Sequence, residues 1–171
     1  MHGVKGDQPL EHSSFVDRTV LIVDDDVFIL AALAEILSED GYDVHTASNG
    51  FSALRQVAEL RPAAILLDLM LPERSGQDLL RDLRGEPATR DMAIVVVTRH
   101  ADGLTDAHVA ETDGLVLKPF DETELLITLH RAMQRAAARH AEVPPVTAGL
   151  HHEGVSRARL STAARRSHGR R

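Results

Sequence analysis

The chain has 171 residues, 43% hydrophobic and 26% charged, and this length and composition predict one globular domain with additional segments. It contains no cysteine, which excludes disulfides, thiolate zinc sites and cysteine nucleophiles, and aromatic residues make up only 3%, which argues against stacking on nucleic-acid bases. The net charge is −7, no stretch approaches the ~18 apolar residues of a membrane span, and the first residues lack the apolar run of a signal peptide, so we expect a soluble, cytoplasmic protein.

Five short apolar runs predict five strands. They lie at residues 20–23, around Val44, and at residues 63–67, 93–97 and 115–117. Most of these runs are continuous rather than alternating, which is typical of strands that are buried on both faces of a parallel sheet.

Apolar residues at helical spacing lie between the runs and predict the helices. The polar residues that we expect at the starts of four helices are Asp26, Asn49, Ser75 with Asp78, and Asp121 with Glu124. The first helix should end near Gly41. Between the fourth and fifth strands only Leu104, Ala107 and Val109 indicate a helix, which we expect to be short and weak. Strands that alternate with helices predict a parallel sheet with right-handed crossovers.

Polar residues follow the ends of the predicted strands, where ligands bind in sheets of this kind. They are Asp24, Asp25 and Asp26 after the first strand, Asp68 after the third, Thr98 after the fourth and Lys118 after the fifth. Clustered carboxylates repel one another, but their oxygens suit a hard divalent cation such as Mg²⁺. The ammonium and hydroxyl groups complete a cradle for a phosphoryl group, in which one carboxylate can act as the nucleophile. We assign Asp26 to the start of the first helix instead.

Four segments together resemble the receiver domain of bacterial two-component response regulators. They are VLIVDDD, ILLDLMLPERSG, VVVT and LVLKPF, in matching order and spacing, and the resemblance covers residues 19–135. It implies a three-layer, flavodoxin-like α/β fold with the strand order 2-1-3-4-5. It also implies a phosphoacceptor in a phosphorelay, with at most slow self-dephosphorylation, rather than an enzyme.

The resemblance also assigns roles to the residues at the strand ends. Asp68 is similar to the phosphoacceptor that takes a phosphoryl group from a phosphohistidine of a sensor histidine kinase or phosphotransfer protein. Thr98 resembles the hydroxyl that moves toward the phosphoryl group. Lys118 resembles the lysine that pairs with it, and the Lys118–Pro119 bond is a candidate cis peptide.

The same resemblance implies Mg²⁺ as the cofactor. Asp25 and Asp68 resemble its carboxylate ligands, the main-chain carbonyl of Met70 resembles a third ligand, and Asp24 resembles the residue that reaches the metal through water. The ten histidines show no metal-ligand spacing, so we expect no metal site that depends on histidine.

Two residues depart from the family pattern. Arg99 follows Thr98 where the family generally has a small residue, so its guanidinium could narrow access to the site or bind the phosphoryl group. Leu115 stands where the family usually has an aromatic residue that turns inward on activation. The spacing between Thr98 and Lys118 is also short, which agrees with the weak fourth helix.

We expect three segments: a flexible N-terminal segment (1–17), a receiver domain (18–138) and a disordered basic tail (139–171). Residues 140–171 contain six Arg and two Glu, a net charge of +4, which leaves 13 basic and 24 acidic groups, a net −11, in residues 1–139.

The tail has no apolar periodicity that would support an output domain, so we expect a stand-alone receiver whose downstream target is a protein. Nucleic acid is an unlikely partner except non-specifically through the tail, and no membrane partner is expected.

Two other functions remain possible at this stage. The Asp24-x-Asp26 pattern after a strand resembles haloacid-dehalogenase-type phosphatases, with Asp24 as nucleophile and Asp26 as acid. That hypothesis leaves Asp68 without a role, and Phe28 departs from its motif. The third hypothesis is a pseudo-receiver, a constitutive binding module, which Arg99 and Leu115 would suit.

Overall fold

The structure is a computed structural model, and it describes residues 18–99 and 104–142. Strands and helices alternate along these residues, as the sequence predicts. The elements are β1 (Thr19–Val23), α1 (Val27–Glu39), β2 (Asp43–Ala47), α2 (Gly50–Leu60), β3 (Ala64–Leu67), α3 (Gly76–Gly85), β4 (Ala93–Thr98), α4 (Asp106–Glu111), β5 (Gly114–Leu117) and α5 (Glu122–Glu142).

The five strands form one parallel sheet in the order β2-β1-β3-β4-β5, which confirms the predicted fold and strand order. β1 pairs with β2 through Thr19 and Asp43 and with β3 through Val20 and Ala64. Every residue of β3 and β4 is buried, in agreement with their continuous apolar sequences. The carboxyl ends of β1, β3, β4 and β5 therefore meet at one edge of the sheet.

Two hydrophobic clusters lie on opposite faces of the sheet because successive strand residues point to opposite sides. Val20 and Ile22 of β1 pack on the face covered by α1 and α5, where Leu33 and Leu129 are fully or almost fully buried. Their neighbours in the same strand, such as Leu21, pack on the face covered by α2 and α3. Leu, Val, Ile and Ala make up almost all of both clusters, as expected from a chain with few aromatic residues.

The predicted helix starts are confirmed by side chains that accept from main-chain amides. The accepting side chain is given first and the donating amide second: Asp26 and Phe28 (2.9 Å), Asn49 and Ser52 (2.9 Å), Ser75 and Asp78 (3.2 Å), and Asp121 with both Thr123 (2.9 Å) and Glu124 (3.2 Å). Each bond satisfies an amide that has no partner inside its helix. Gly41 follows α1 with φ at +85°, a conformation that favours glycine.

The fourth helix is short, as predicted. It has six residues and no buried side chain, and a capping box between Thr105 and His108 holds its first turn.

The last helix extends beyond the expected domain boundary. The helix α5 continues through Arg139 to Glu142, and Arg139 forms an ion pair with Asp113. The expected boundary at residue 138 therefore lies inside α5. The expected flexible segment (1–17) and the rest of the basic tail lie outside the described residues.

Among the helices in the described part of the chain, none is both long and apolar enough to cross a membrane.

Candidate functional site

Main-chain hydrogen bonds fix the strand ends that carry the predicted site residues. The amide of Asp24 donates to the carbonyl of Ala47 (3.1 Å), and the amide of Asp68 donates to the carbonyl of Val23 (2.9 Å). The amide of Lys118 donates to the carbonyl of Thr98 (2.9 Å). The backbone of each loop thus continues the sheet for one residue beyond the strands, and this brings Asp24, Asp68 and Lys118 to the same edge.

Three carboxylates form a compact cluster at this edge. Asp24, Asp25 and Asp68 each offer an oxygen, and these oxygens lie within 4.8 Å of one another. Asp24 and Asp68 are buried, whereas Asp25 is exposed. Main-chain amides orient the two buried groups: the amide of Asp26 donates to Asp24 Oδ1 (2.9 Å) and that of Met70 donates to Asp68 Oδ1 (3.0 Å).

The ammonium of Lys118 bridges the two buried carboxylates. Its Nζ donates to Asp24 Oδ2 and, at 2.5 Å, to Asp68 Oδ2. The Lys118 side chain is only 5% exposed, so these bonds replace its hydration. The Lys118–Pro119 peptide bond is cis, in agreement with the sequence expectation.

Burial of the cluster affects its protonation. Desolvation raises the pKa of Asp24 above its usual value, although the hydrogen bonds from Lys118 and from the Asp26 amide act in the opposite direction. One ammonium therefore does not fully offset the cost of placing these carboxylates together. Additional positive charge at the site is favourable.

The residues present fit a hard divalent cation. They line a pocket of about 290 Å³ whose wall consists of Asp24, Asp25, Asp26, Asp68, Met70, Arg99 and Lys118. Carboxylate oxygens are the ligands that Mg²⁺ prefers, and the chain has no thiolate to select a softer metal. The structure therefore brings together the predicted metal ligands Asp24, Asp25 and Asp68, and Met70 lies beside them.

Thr98 is the one predicted site residue that does not line this pocket. It is the last residue of β4, and its side chain is completely buried. Its backbone is directly bonded to Lys118, so it lies close to the site without forming part of the pocket wall. Leu115, which departs from the family pattern, lies in β5 and is half-buried.

Asp26 has a second role that the sequence did not reveal. Its Oδ1 accepts from the Phe28 amide as the cap of α1, as predicted, but its carboxylate also lines the pocket. Asp26 Oδ2 lies 3.6 Å from Nη2 of Arg99, which lines the pocket as well. Only the run of three aspartates hinted at this, since one acidic residue is sufficient to cap a helix.

The chain is similar to response regulators over most of the residues that the structure describes. The family described as the response regulator receiver domain matches residues 20–130. The transcriptional regulatory protein KdpE of Mycobacterium tuberculosis is 40% identical over 128 residues, which are 74% of this chain and 56% of KdpE. The DNA-binding response regulator MtrA of Mycolicibacterium smegmatis is 35% identical, again over 74% of this chain and over 55% of MtrA. The chain thus spans little more than half the length of these relatives.

Solved structures show the same likeness. A sensor protein from Polaromonas sp. JS666 has 36% identity and a TM-score of 0.65, covering 69% of this chain and 97% of that one. The chemotaxis response regulator CheY4 of Vibrio cholerae has 28% identity and a TM-score of 0.62, covering 67% of this chain and 97% of that one.

These likenesses bear on two of the expectations drawn from the sequence. The phosphatase hypothesis is not supported, because the matches are to response regulators and Asp26 caps α1. The expectation that nucleic acid is an unlikely partner also gains no support, since the curated relatives are named as transcriptional or DNA-binding regulators. The strand order, the carboxylate cluster and the matched range agree: the chain belongs to the response regulator receiver domain family.

Proposed function

We propose that the chain accepts a phosphoryl group on Asp68 from the phosphohistidine of a sensor histidine kinase or phosphotransfer protein, in a reaction that requires Mg²⁺. The observation that carries this proposal is the position of the Asp68 carboxylate. It lines an open pocket between two further carboxylates and the Lys118 ammonium. A nucleophile, a metal site and a cation for the transferred group thus meet in one place.

The transfer requires that an oxygen of Asp68 faces the pocket, which Asp68 lines, and that the charge around this oxygen is compensated. An Asp68 oxygen attacks phosphorus, the phosphorus–nitrogen bond of the donor breaks, and the departing imidazole takes a proton from solvent. The Met70 amide holds Asp68 Oδ1 at 3.0 Å and therefore fixes the orientation of the attacking group. Mg²⁺ would be held by Asp25, Asp68 and the Met70 carbonyl, with Asp24 reaching it through water, and would supply positive charge for the phosphoryl oxygens.

Lys118 and Thr98 would stabilise the product. The Lys118 ammonium already contacts Asp68, so it needs only a small movement to pair with a phosphoryl oxygen on that residue. The Thr98 hydroxyl would donate to a second phosphoryl oxygen after a movement toward the pocket. The position of these residues supports both roles, since Thr98 ends β4 and Lys118 directly follows β5.

Exposed apolar side chains support a protein as the donor. Phe28 is 82% exposed and Val27 64% exposed in the first turn of α1, directly after Asp26 at the pocket. Met70, which lines the pocket, is also 64% exposed. Large apolar groups beside a charged pocket favour contact with another protein surface.

Intact mass spectrometry tests the proposal. The full chain is incubated with Mg²⁺ and either acetyl phosphate or phosphoramidate, whose phosphorus–nitrogen bond resembles that of phosphohistidine. We expect the native chain and Asp43→Asn, a change at an exposed strand residue outside the pocket, to gain one phosphoryl group, and Asp68→Asn to gain none. Removal of Mg²⁺ with EDTA should also abolish the gain.

Two results would contradict the proposal. A native chain that gains no phosphoryl group from either donor would favour the pseudo-receiver hypothesis. Labelling that persists in Asp68→Asn but disappears in Asp24→Asn would place the acceptor on Asp24 instead.

A further inference from the structure

The charges around the pocket do not balance once Asp68 is phosphorylated. Four aspartates line the pocket, and Lys118 and one Mg²⁺ together supply three positive charges. A phosphoryl group on Asp68 replaces the single negative charge of the carboxylate with nearly two, because its second ionisation is largely complete at neutral pH. One more cation is therefore favourable at this site, and among the described residues that line the pocket only Arg99 can provide it.

The contacts of Arg99 leave it able to move. Its guanidinium lies 3.6 Å from Asp26 Oδ2, a charge contact that is too long for a hydrogen bond, and the Arg99 side chain is 63% exposed. Exposed ion pairs of this kind contribute little stability. Asp26 would keep a partner after Arg99 leaves, since its Oδ1 accepts from the Phe28 amide at 2.9 Å. The contact between Arg99 and Asp26 can therefore break at little cost in stability.

We propose that Arg99 is a phosphoryl-binding residue that Asp26 holds at the mouth of the pocket until Asp68 is phosphorylated. This inference rests on the proposed function. Arg99 then leaves Asp26 and donates hydrogen bonds to phosphoryl oxygens, for which its planar guanidinium is well suited.

The consequence is a longer-lived phosphoryl group. In hydrolysis, water attacks phosphorus, the bond from phosphorus to the Asp68 oxygen breaks, the proton of the water passes to the departing phosphate, and the Asp68 carboxylate is restored. A guanidinium bound across the mouth of a pocket of about 290 Å³ stabilises the phosphorylated state and excludes the attacking water.

The lifetime of the phosphoryl group tests this role. The full chain is phosphorylated with acetyl phosphate and Mg²⁺, the donor is removed, and the loss of the phosphoryl group is followed by intact mass. We expect Arg99→Ala to lose it about three- to tenfold faster than the native chain. Arg99→Lys should fall between them, because it keeps the charge without the planar fork. Asp26→Asn, which can still cap α1, should lose it no faster than the native chain.

A second measurement does not depend on phosphorylation. Arg99→Ala should bind Mg²⁺ more tightly than the unphosphorylated native chain, because a positive charge has been removed from the wall of the metal site. Arg55→Ala, a change at an exposed residue of α2, should alter neither the Mg²⁺ affinity nor the phosphoryl lifetime.

The possible outcomes separate this inference from the proposed function. If the native chain takes no phosphoryl group, the proposed function fails and this inference fails with it. If the native chain is phosphorylated but Arg99→Ala loses the group at the native rate or more slowly, only the role of Arg99 is overturned. An unchanged Mg²⁺ affinity in Arg99→Ala would also overturn it, because it would place the guanidinium away from the site.

Discussion

At the scale of single residues, Asp113 is the most highly bonded carboxylate outside the pocket among the described residues. It is 8% exposed and lies just before β5. Its Oδ1 accepts from Arg139 (2.6 Å), and its Oδ2 accepts from Arg84 and from the Ile94 amide (both 2.8 Å). Arg84 also donates to the carbonyl of Glu111 (2.7 Å). The Asp113 carboxylate thus joins α3, the start of β4 and the end of α5, and Arg84 connects it to the end of α4.

These bonds predict a pH-dependent contribution to stability. Burial alone would raise the pKa of Asp113, but the hydrogen bonds from Arg139, the Ile94 amide and Arg84 outweigh it and hold the pKa below its usual value. A carboxyl group with a lowered pKa in the folded state stabilises the fold above the unfolded pKa of about 4, and this stabilisation is lost as the pH falls through the folded pKa.

We therefore expect Asp113→Asn to lower the free energy of unfolding by about 2–3 kcal/mol at pH 7, because two arginines lose a charged acceptor. The difference from the native chain should shrink as the pH falls below about 4. Urea unfolding between pH 7 and pH 3 measures it, and Asp43→Asn, at an exposed position, serves as the control. A difference that stays constant over this range would contradict the assigned role of the Asp113 charge.

At the scale of elements, the start of α3 is packed directly against the loop that carries Asp68. The amide of Gly76 donates to the carbonyl of Leu69 (3.0 Å). A Cβ atom at Gly76 would lie 2.2 Å from the carbonyl oxygen of Asp68 and 2.6 Å from Cα of Leu69. Both are backbone atoms, so a larger residue cannot be accommodated by rotating a side chain. The absence of a side chain at Gly76 thus allows the close approach of the helix and the loop.

A matched pair of variants tests this packing. Gly76→Ala should destabilise the protein by about 2–4 kcal/mol and weaken Mg²⁺ binding, because it displaces the backbone of Asp68. Gly85→Ala, at the other end of the same helix, meets no atom within 4 Å and should be neutral or stabilising by up to about 1 kcal/mol. Thermal unfolding with and without Mg²⁺ separates the two effects. Equal stabilities for the two variants would contradict the close contact at Gly76.

The fourth helix should be the least protected of the helices in the described range. Its six residues include no buried side chain, whereas β4, the strand that precedes it in the chain, is buried throughout. Few buried contacts mean a low free energy of local opening. Hydrogen exchange followed by mass spectrometry should therefore show fast exchange in α4 and slow exchange in β4. Protection of α4 as strong as that of α5 would contradict this expectation.

The elements that could be predicted from the sequence are those with local signals. Continuous apolar runs indicated the buried strands, and N-cap residues such as Asn49 and Ser75 marked helix starts within one turn. The helix α5 continues beyond the expected domain boundary at residue 138, although its last turns, at Arg139 and His140, are polar and have no apolar repeat. The bonds of Arg139 to Asp113 stabilise that part of the helix, and no pattern along the chain indicates a contact so distant in sequence.

The site shows the same division between local and distant signals. The four strand-end motifs placed Asp24, Asp68 and Lys118 at one edge, because parallel strands end on the same side of a sheet. The contact between Asp26 and Arg99 was not predictable. Asp26 had a sufficient local role as a helix cap, and the direction in which a long exposed side chain turns depends on its surroundings.

At the scale of the whole molecule, the site and the fold depend on each other. Asp24 follows β1, Asp68 follows β3 and Lys118 follows β5, so the cluster exists only when strands that are distant in sequence have paired. A cation that binds this cluster binds the folded chain and has little affinity for the unfolded one. Mg²⁺ should therefore stabilise the whole domain by mass action.

We expect Mg²⁺ at ten times its dissociation constant to raise the free energy of unfolding by about 1.4 kcal/mol, which corresponds to roughly 5 °C in Tm. Calorimetry in Mg²⁺ and in EDTA measures the shift, which should be greatly reduced in Asp68→Asn and unchanged in Asp43→Asn. Overlapping curves for the native chain would contradict the proposed metal site.

Lys118→Met should have a lower Tm in EDTA but a larger Mg²⁺ shift, because the ammonium no longer competes with the metal for Asp24 Oδ2 and Asp68 Oδ2.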